Sequence, residues 1–460
     1  MSLTLQISRR IAKVHFPQLP AGASAMAKVA IRDFFACALA GSRTPVAARI
    51  LAYAQRHESP GPAPIIGVPG LRLAPAVAAW LNGTLGHALD YDDVNSVAVA
   101  HTSAALVPAI LALAETRRAS GKDVITAYAV GFELIVQLGR RLNPALYEHG
   151  WHSTLTLGAL GAAAAAGKIL RLSPEKLCHA LGIASSFAAG TRQNFGTMTK
   201  PLHAGNAARA GVTAALLAAD GFTADPDILG AGYGLGKILS PGRPKDLSAL
   251  AGKWGRPWEL VASGIAIKKY PCCAGNHSSI DAMMRLATEH YLKAEQVKRI
   301  TCEVPALVLG ILLRHRPRTA SEARFSLEFA MAVAVLDRAA GLRQYTDRRV
   351  QDPRVQRLLL KVMTRELPKV MQKRLGGGGL NGARVTVELK GGEKIQAEAG
   401  AARGHPGEPL REAEHWAKFQ ECAAGILPVA RAAKLFQELS RLEVISELKY
   451  IAGDLELKGS

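Results

Sequence analysis

Only 5% of the 460 residues are aromatic, so a core must be assembled from Ala, Leu and Val. Small aliphatic side chains favour closely packed helices over sandwiches or barrels, whose strands lean on aromatic and β-branched residues. Cysteine is sparse as well. Six irregularly spaced residues make no disulfide framework, and a reducing, cytoplasmic setting is expected. Neither a C-x-x-C pair nor an H-E-x-x-H run occurs, so no metal is expected. Long apolar runs are missing too. The two longest stretches without a charged residue, 94–114 and 149–167, are interrupted by His, Ser and Thr and lean on Ala and Gly, which speaks against a membrane span. The segment Met1 to Arg10 lacks the uninterrupted apolar region of a signal peptide.

Acid is scarce relative to base: 37 Asp and Glu stand against 57 Lys and Arg, a net charge of +20. Such an excess raises the question of nucleic acid. It is spread along the chain, with one concentration between Arg343 and Arg374 that includes Arg348, Arg349, Arg354, Arg357, Lys361, Arg365, Lys369, Lys373 and Arg374. Spaced along a helix, these residues make a solvated face. With no zinc-finger spacing and no RNA-binding aromatic pattern, nucleic acid is not an expected partner. The positive field suits a small polyanion instead.

At this length two domains are the natural expectation. From about residue 20 to 265 helical periodicity recurs, at Ser24–Ala40, Ala74–Leu89, Ser103–Thr116, Val124–Arg140, Thr156–Leu170, Pro174–Ala189 and Asn206–Asp220. Ala-Ala and Gly-Ala pairs let such helices approach closely, and helices apolar on most faces belong inside a large bundle. After Ile265 the texture changes. Arg299–Pro305 reads as a strand, 383–390 and 393–398 as a β-hairpin, and Ser278–His290 and Ser326–Ala339 as helices between them. The fold expected is therefore mainly α: a large all-helical domain, residues 1–265 joined by 405–460, and a smaller α+β lid domain, 266–404. The glycine run 376–379 reads as a flexible loop, since no strand-to-helix turn followed by Lys-Ser/Thr makes it a phosphate cradle.

Four clusters could carry chemistry. Thr199-Lys200-Pro201-Leu202-His203 sets a lysine on a proline-broken turn before a small-residue helix, where unpaired N–H groups and the helix dipole add to its charge and a carboxylate is held well. His87-Ala88-Leu89-Asp90-Tyr91-Asp92-Asp93 puts three carboxylates at a helix C-terminus, followed by His101. Acids are disfavoured there and need a cation, a hydrogen-bond partner or a function. Asp90 and Asp93 share a face if the helix persists, and a Mg²⁺ site is a further option. His152, after Gly150-Trp151, stands near a helix start where the dipole favours the neutral, proton-accepting imidazole. Lys268-Lys269-Tyr270-Pro271-Cys272-Cys273 with His277 marks the domain junction; a Cys–His nucleophile pair or an anion grip by Lys268 would both fit. Singly, each cluster also fits an ordinary hydrogen-bonded turn. As a set they suggest one polar pocket for a substrate with several carboxylates, and proton removal or delivery next to a carboxylate.

With Gly150-Trp151-His152-Ser153-Thr154, the run Gly196–Gly211 and Arg316-Pro317-Arg318-Thr319, these motifs resemble the MmgE/PrpD family over nearly the whole chain. The family includes 2-methylcitrate dehydratases, cis-aconitate decarboxylases and iminodisuccinate epimerases. The resemblance implies a helical domain with an α+β lid, a homodimer, no required cofactor, and a substrate surrounded by Asp90, His101, His152, Lys200 and Lys268. His152 would transfer protons, Lys200 and Lys268 would stabilise carboxylate charge, and Asp90 and His101 would orient or exchange protons. Cys273 and His277 would line the pocket from the lid. Two departures set the chain apart from the decarboxylase branch: Leu313-Arg314-His315 precedes Arg316-Pro317 where that branch has a tyrosine, and Cys273 stands where it carries a histidine. The run Asn194–Pro201 is closer to epimerase-like members, but Val97–Ala100 lacks the arginine of their acidic loop. The expectation is a cofactor-independent lyase of the dehydratase type acting on a small hydroxylated di- or tricarboxylate. Epimerisation or isomerisation of a dicarboxylate, or decarboxylation of a cis-aconitate-like acid, are the alternatives.

Overall fold

The computed structural model describes residues 1–240, 247–376 and 379–448. It is mainly α-helical with small sheets. Helices Pro75–His87, Thr102–Ala114, Gly121–Leu142, Ser153–Ile169 and Thr199–Ala219 pack against one another. Their sequences say why. The helix Ser153–Ile169 is buried at all but one of its positions, through Leu, Ala and Gly, so it is surrounded by other helices rather than facing solvent. Gly121–Leu142 starts at a capping box, in which Ser120 Oγ accepts from the Asp123 N–H and Asp123 Oδ2 accepts from the Ser120 N–H.

Small residues set how near the axes come. A Cβ at Gly205 would lie 2.2 Å from the Trp80 carbonyl oxygen, and one at Gly211 would lie 2.4 Å from the Ala162 side chain. The helix from Thr199 is thereby pressed on two neighbours at once, and this depth carries Lys200 and His203 into the interior.

The helices Glu412–Ala423 and Val429–Ser440 pack against Ala21–Gly41, and their Phe419, Leu435 and Leu439 belong to the same apolar cluster as the helices above. A second cluster forms around a four-stranded sheet, in the order Val362–Glu366, Val297–Val304, Ala383–Leu389, Lys394–Ala399. The first pair is parallel and the other two antiparallel. Ala383, Val385 and Val387 point inward at alternate positions toward the helix His277–Glu289, while the helix Leu327–Asp337 packs on the strand Val362–Glu366.

Three expectations are corrected. The helix carrying Lys200 begins at Thr199, not at Asn206; Pro201 falls in its first turn, where a missing N–H costs nothing. The helix before the acidic run ends at His87, and Asp90 adopts φ 51°, so Asp90 and Asp93 share no helical face. The basic segment is not one helix but the pieces Asp347–Val350, Pro353–Leu359, strand Val362–Glu366 and Lys369–Arg374. Pro353 and Pro368 interrupt it, and its arginines 343, 348, 354, 357, 365 and 374 are exposed. Of the glycine run, 377 and 378 lie outside the described residues, as does the tail from 449. Among the described residues no helix is long and apolar enough to cross a membrane.

Candidate active site

Between His87 and Thr102 the chain leaves one buried helix and enters another, and the connecting loop carries its acids into the interior. Asp90, Asp92 and Asp93 are each at most 3% exposed. Ionised carboxylates at such depth must be paired. Asp90 Oδ1 accepts from Lys268 Nζ at 2.7 Å and from Lys200 Nζ at 3.2 Å, and His101 Nε2 lies 3.4 Å away. Lys268 Nζ also donates to the Asp90 carbonyl at 2.7 Å, which ties down the left-handed residue. Burial alone would raise the Asp90 carboxyl, but the two lysines, with His101 and His87, hold it far below the usual range. Its second oxygen, Oδ2, is buried and has no hydrogen-bond partner among the described residues.

Asp92 and Asp93 have different tasks. His87 Nδ1 lies 2.8 Å from Asp92 Oδ1 and His87 Nε2 lies 2.6 Å from Lys200 Nζ. Asp92 is ionised, since the two nearby imidazoles outweigh its burial. His87 therefore donates from Nδ1 and accepts the lysine's N–H at Nε2, so Asp92 sets the tautomer that positions Lys200. Asp93 instead accepts from the Ser103 N–H and hydroxyl at 3.2 and 2.6 Å, at the start of the helix Thr102–Ala114. Burial, with Asp92 and Asp33 adding to it, pushes the Asp93 carboxyl up to about 7 against those bonds. It is a structural anchor.

The two predicted histidines are N-cap residues of long buried helices. His101 Nδ1 lies 2.9 Å from the Asp93 carbonyl; a carbonyl only accepts, so Nδ1 carries the hydrogen and Nε2 keeps a lone pair toward Asp90. Burial, with His87 adding to it, lowers the His101 imidazole to about 3. His152 is 2% exposed, and burial first, then Lys200 and His203, holds it well below the usual value. Both rings are neutral at neutral pH and able to accept a proton. The His152 ring lies 6.3 Å from that of His87, and its Nδ1 is 3.0 Å from His203 Nδ1.

Asp90, His101, Lys200 and Lys268 thus form one contact group, which His152 joins through His87. Cys273 and His277 are buried beside it and take their hydrogen bonds elsewhere. The Cys273 N–H donates to the Arg324 carbonyl, and His277 Nε2 lies 3.4 Å from the Cys272 carbonyl. Burial pushes the Cys272 thiol up to about 12 and raises that of Cys273, the reverse of what a Cys–His nucleophile needs. Four donors, on His87, Asp90, Asp92 and His101, lie within 4.8 Å of one another. A divalent ion there would face the two ammonium groups already on Asp90 and His87, so the donor set does not fit a metal.

Sequence reasoning left out His87, Asp92, His203 and Lys418. Lys418 Nζ, 4% exposed as a side chain, pairs with Asp33 at 2.6 Å and donates to the Tyr91 carbonyl at 2.8 Å. A residue from near the C-terminus thereby pins the Asp90–Asp92 loop from behind. His87 and Asp92 lay inside the acidic motif, and His203 follows Lys200 by three positions, a spacing that marks one helix face only once the helix is known to start at Thr199.

The chain belongs to the MmgE/PrpD family: the family's N-terminal domain matches residues 5–248 and its C-terminal domain residues 270–442. Among its relatives, a cis-aconitate decarboxylase of Homo sapiens is 30% identical over 430 residues, covering 91% of this chain and 87% of that protein. A cis-aconitate decarboxylase of Aspergillus terreus is 28% identical over 472 residues, covering 97% and 95%.

Proposed function

We propose that this protein is a cofactor-independent lyase of the dehydratase type, removing a proton next to a carboxylate in a small hydroxylated di- or tricarboxylate. Lys200 and Lys268 supply two buried positive charges on which a substrate carboxylate can rest. As the adjacent C–H bond breaks, negative charge grows on that carboxylate, and ammonium groups fixed in a low-dielectric setting lower the cost. His152, neutral and buried, is the base, with His87 between it and His101. The departing oxygen takes its proton from an imidazolium and leaves as water.

The observation that carries the hydroxylated substrate is the unpartnered Oδ2 of Asp90. A buried carboxylate oxygen without a donor costs free energy, and the hydroxyl of a hydroxy acid brings the missing donor. A second reading, decarboxylation of a cis-aconitate-like acid, is favoured by the names of the relatives. Against it stand Cys273 and Leu313-Arg314-His315, the two departures from that branch. We further propose that 266–404 closes over a platform of 1–265 with 405–460, and that the protein works as a homodimer.

The test is proton NMR in D2O with citrate-like, aconitate-like and aspartate-derived acids, in excess chelator. Alkene signals mean water loss. Loss of a carboxylate carbon would replace the dehydratase reading with the second one, and deuterium uptake without net conversion would replace it with epimerisation. No change in any acid would remove the enzymatic reading.

A further inference from the structure

A base enclosed this fully has a difficulty that its neighbours do not solve. Once His152 has taken a proton from carbon, it is a cation only 2% exposed beside the positive charge of Lys200, until the departing oxygen takes that proton. Its Nδ1 points the other way, 3.0 Å from His203 Nδ1. Both nitrogens cannot carry hydrogen at that distance, so one donates to the other. His203 borders a cavity of about 620 Å³, whose lining also includes Leu155, Phe187, Asn206 and Arg209 but neither Asp90 nor Lys268. Phe187 and Arg209 are exposed, so this cavity opens to solvent. Two imidazoles in series therefore span the wall between the buried acids and an outer cavity.

We propose that His203 is a relay residue that exchanges protons between His152 and solvent, acting through His152 and not on the substrate. The proposal rests on the proton-transfer reading above. In the forward step the substrate C–H bond breaks, its electron pair stays on the substrate, and a new N–H bond forms at His152 Nε2. The His152 Nδ1–H bond breaks as that proton passes to His203 Nδ1, and the proton on His203 Nε2 leaves to the cavity. One proton enters the chain and one leaves it. In the reset a solvent proton arrives at His203 Nε2, the shared hydrogen returns to His152 Nδ1, and His152 Nε2 gives its hydrogen to the departing hydroxyl.

The experiment compares wild type with His203→Gln and His203→Phe, each checked for native circular dichroism, using citrate and cis-aconitate as probes. Turnover in the variants is expected to fall on the order of tenfold or more in a buffer of bulky bases, and to recover as imidazole is added. Wild type should not respond to imidazole. Packing changes alone would not make turnover depend on a small base. Variants as fast as wild type, or slow and indifferent to imidazole, overturn the relay. A second readout does not need turnover. In histidine-¹⁵N-labelled protein, the hydrogen-bonded Nδ1 signal of His152 should be lost in His203→Phe, and a spectrum unchanged at His152 in that variant removes the proposal. If wild type converts neither acid, the lyase reading fails for these two substrates on its own, while the nitrogen spectra still decide whether the two rings share a hydrogen.

Discussion

Asp90→Asn keeps the shape of the side chain and removes the charge that faces two buried ammonium groups. At an effective dielectric of about 20, the separations of 2.7 Å from Lys268 and 3.2 Å from Lys200 correspond to gross attractions of about 6 and about 5 kcal/mol. Burying the three groups offsets much of this, and removing one partner of a buried ion pair leaves a net loss of about 3–5 kcal/mol. The loss should depend on pH in a defined direction. Burial already lowers the pKa of Lys200, with Asp90 opposing the fall; without Asp90 it drops further below the ordinary value of about 10.4. A lysine whose folded pKa lies below its unfolded value binds more protons when unfolded, so stability rises with pH through that window. Lys268 has its pKa raised in the wild type by Asp90 and Asp92 against its burial, a contribution lost as pH rises through the folded value and missing from the variant. The Lys200 effect shrinks the deficit between neutral pH and about pH 10, and the Lys268 effect shrinks it further only above about pH 10.4. Urea unfolding followed by circular dichroism, at neutral pH and in the alkaline range, measures it. A variant as stable as wild type, or a deficit independent of pH, would refute the reasoning.

Lys418→Met should lower stability by about 3 kcal/mol or more and reduce turnover, because Asp33 loses its cation and the Tyr91 carbonyl its donor; adding Asp33→Asn should restore part of the stability, and a single variant indistinguishable from wild type in urea would contradict the pinning role. With His101 held at about 3 and His152 also low, kcat/KM in an Asp93→Asn background, which removes the carboxyl raised to about 7, should stay level through about pH 6.5, the ordinary histidine value; an acid limb centred there would show that these rings titrate normally. Buried Cys272 and Cys273 should resist iodoacetamide at about pH 8 in the native protein and react once unfolded, with activity retained throughout; rapid loss of activity would reinstate the thiols.

Where residues answered to local rules, the sequence was legible. Ala- and Leu-rich periodicity located the buried helices because these helices are apolar on nearly every face. The strand Ala383–Leu389 announced itself by alternation. The helix Pro45–His57, which buries only Val46, Ala47, Ile50 and Ala54, gave a fainter signal. The strand Val362–Glu366 was hidden in a basic run because a parallel edge partner for Val297–Val304 is a long-range fact. Proline misled at Pro201, where position in the first turn matters more than residue type. Asp90, His101, Lys200 and Lys268 could be picked out as charges in apolar surroundings, but their meeting at Oδ1 of Asp90 could not. Lys418 was beyond reach, being 327 residues from the loop it holds.

The most direct measurement is the rate at which the hydrogen next to a substrate carboxylate exchanges for deuterium in D2O, in wild type, Lys200→Met and His152→Asn. Wild type should exchange readily. Each variant, with its circular dichroism unchanged, should be slower on the order of 100-fold or more. Exchange at the wild-type rate in both variants would mean that the buried lysine and imidazole take no part in moving that proton.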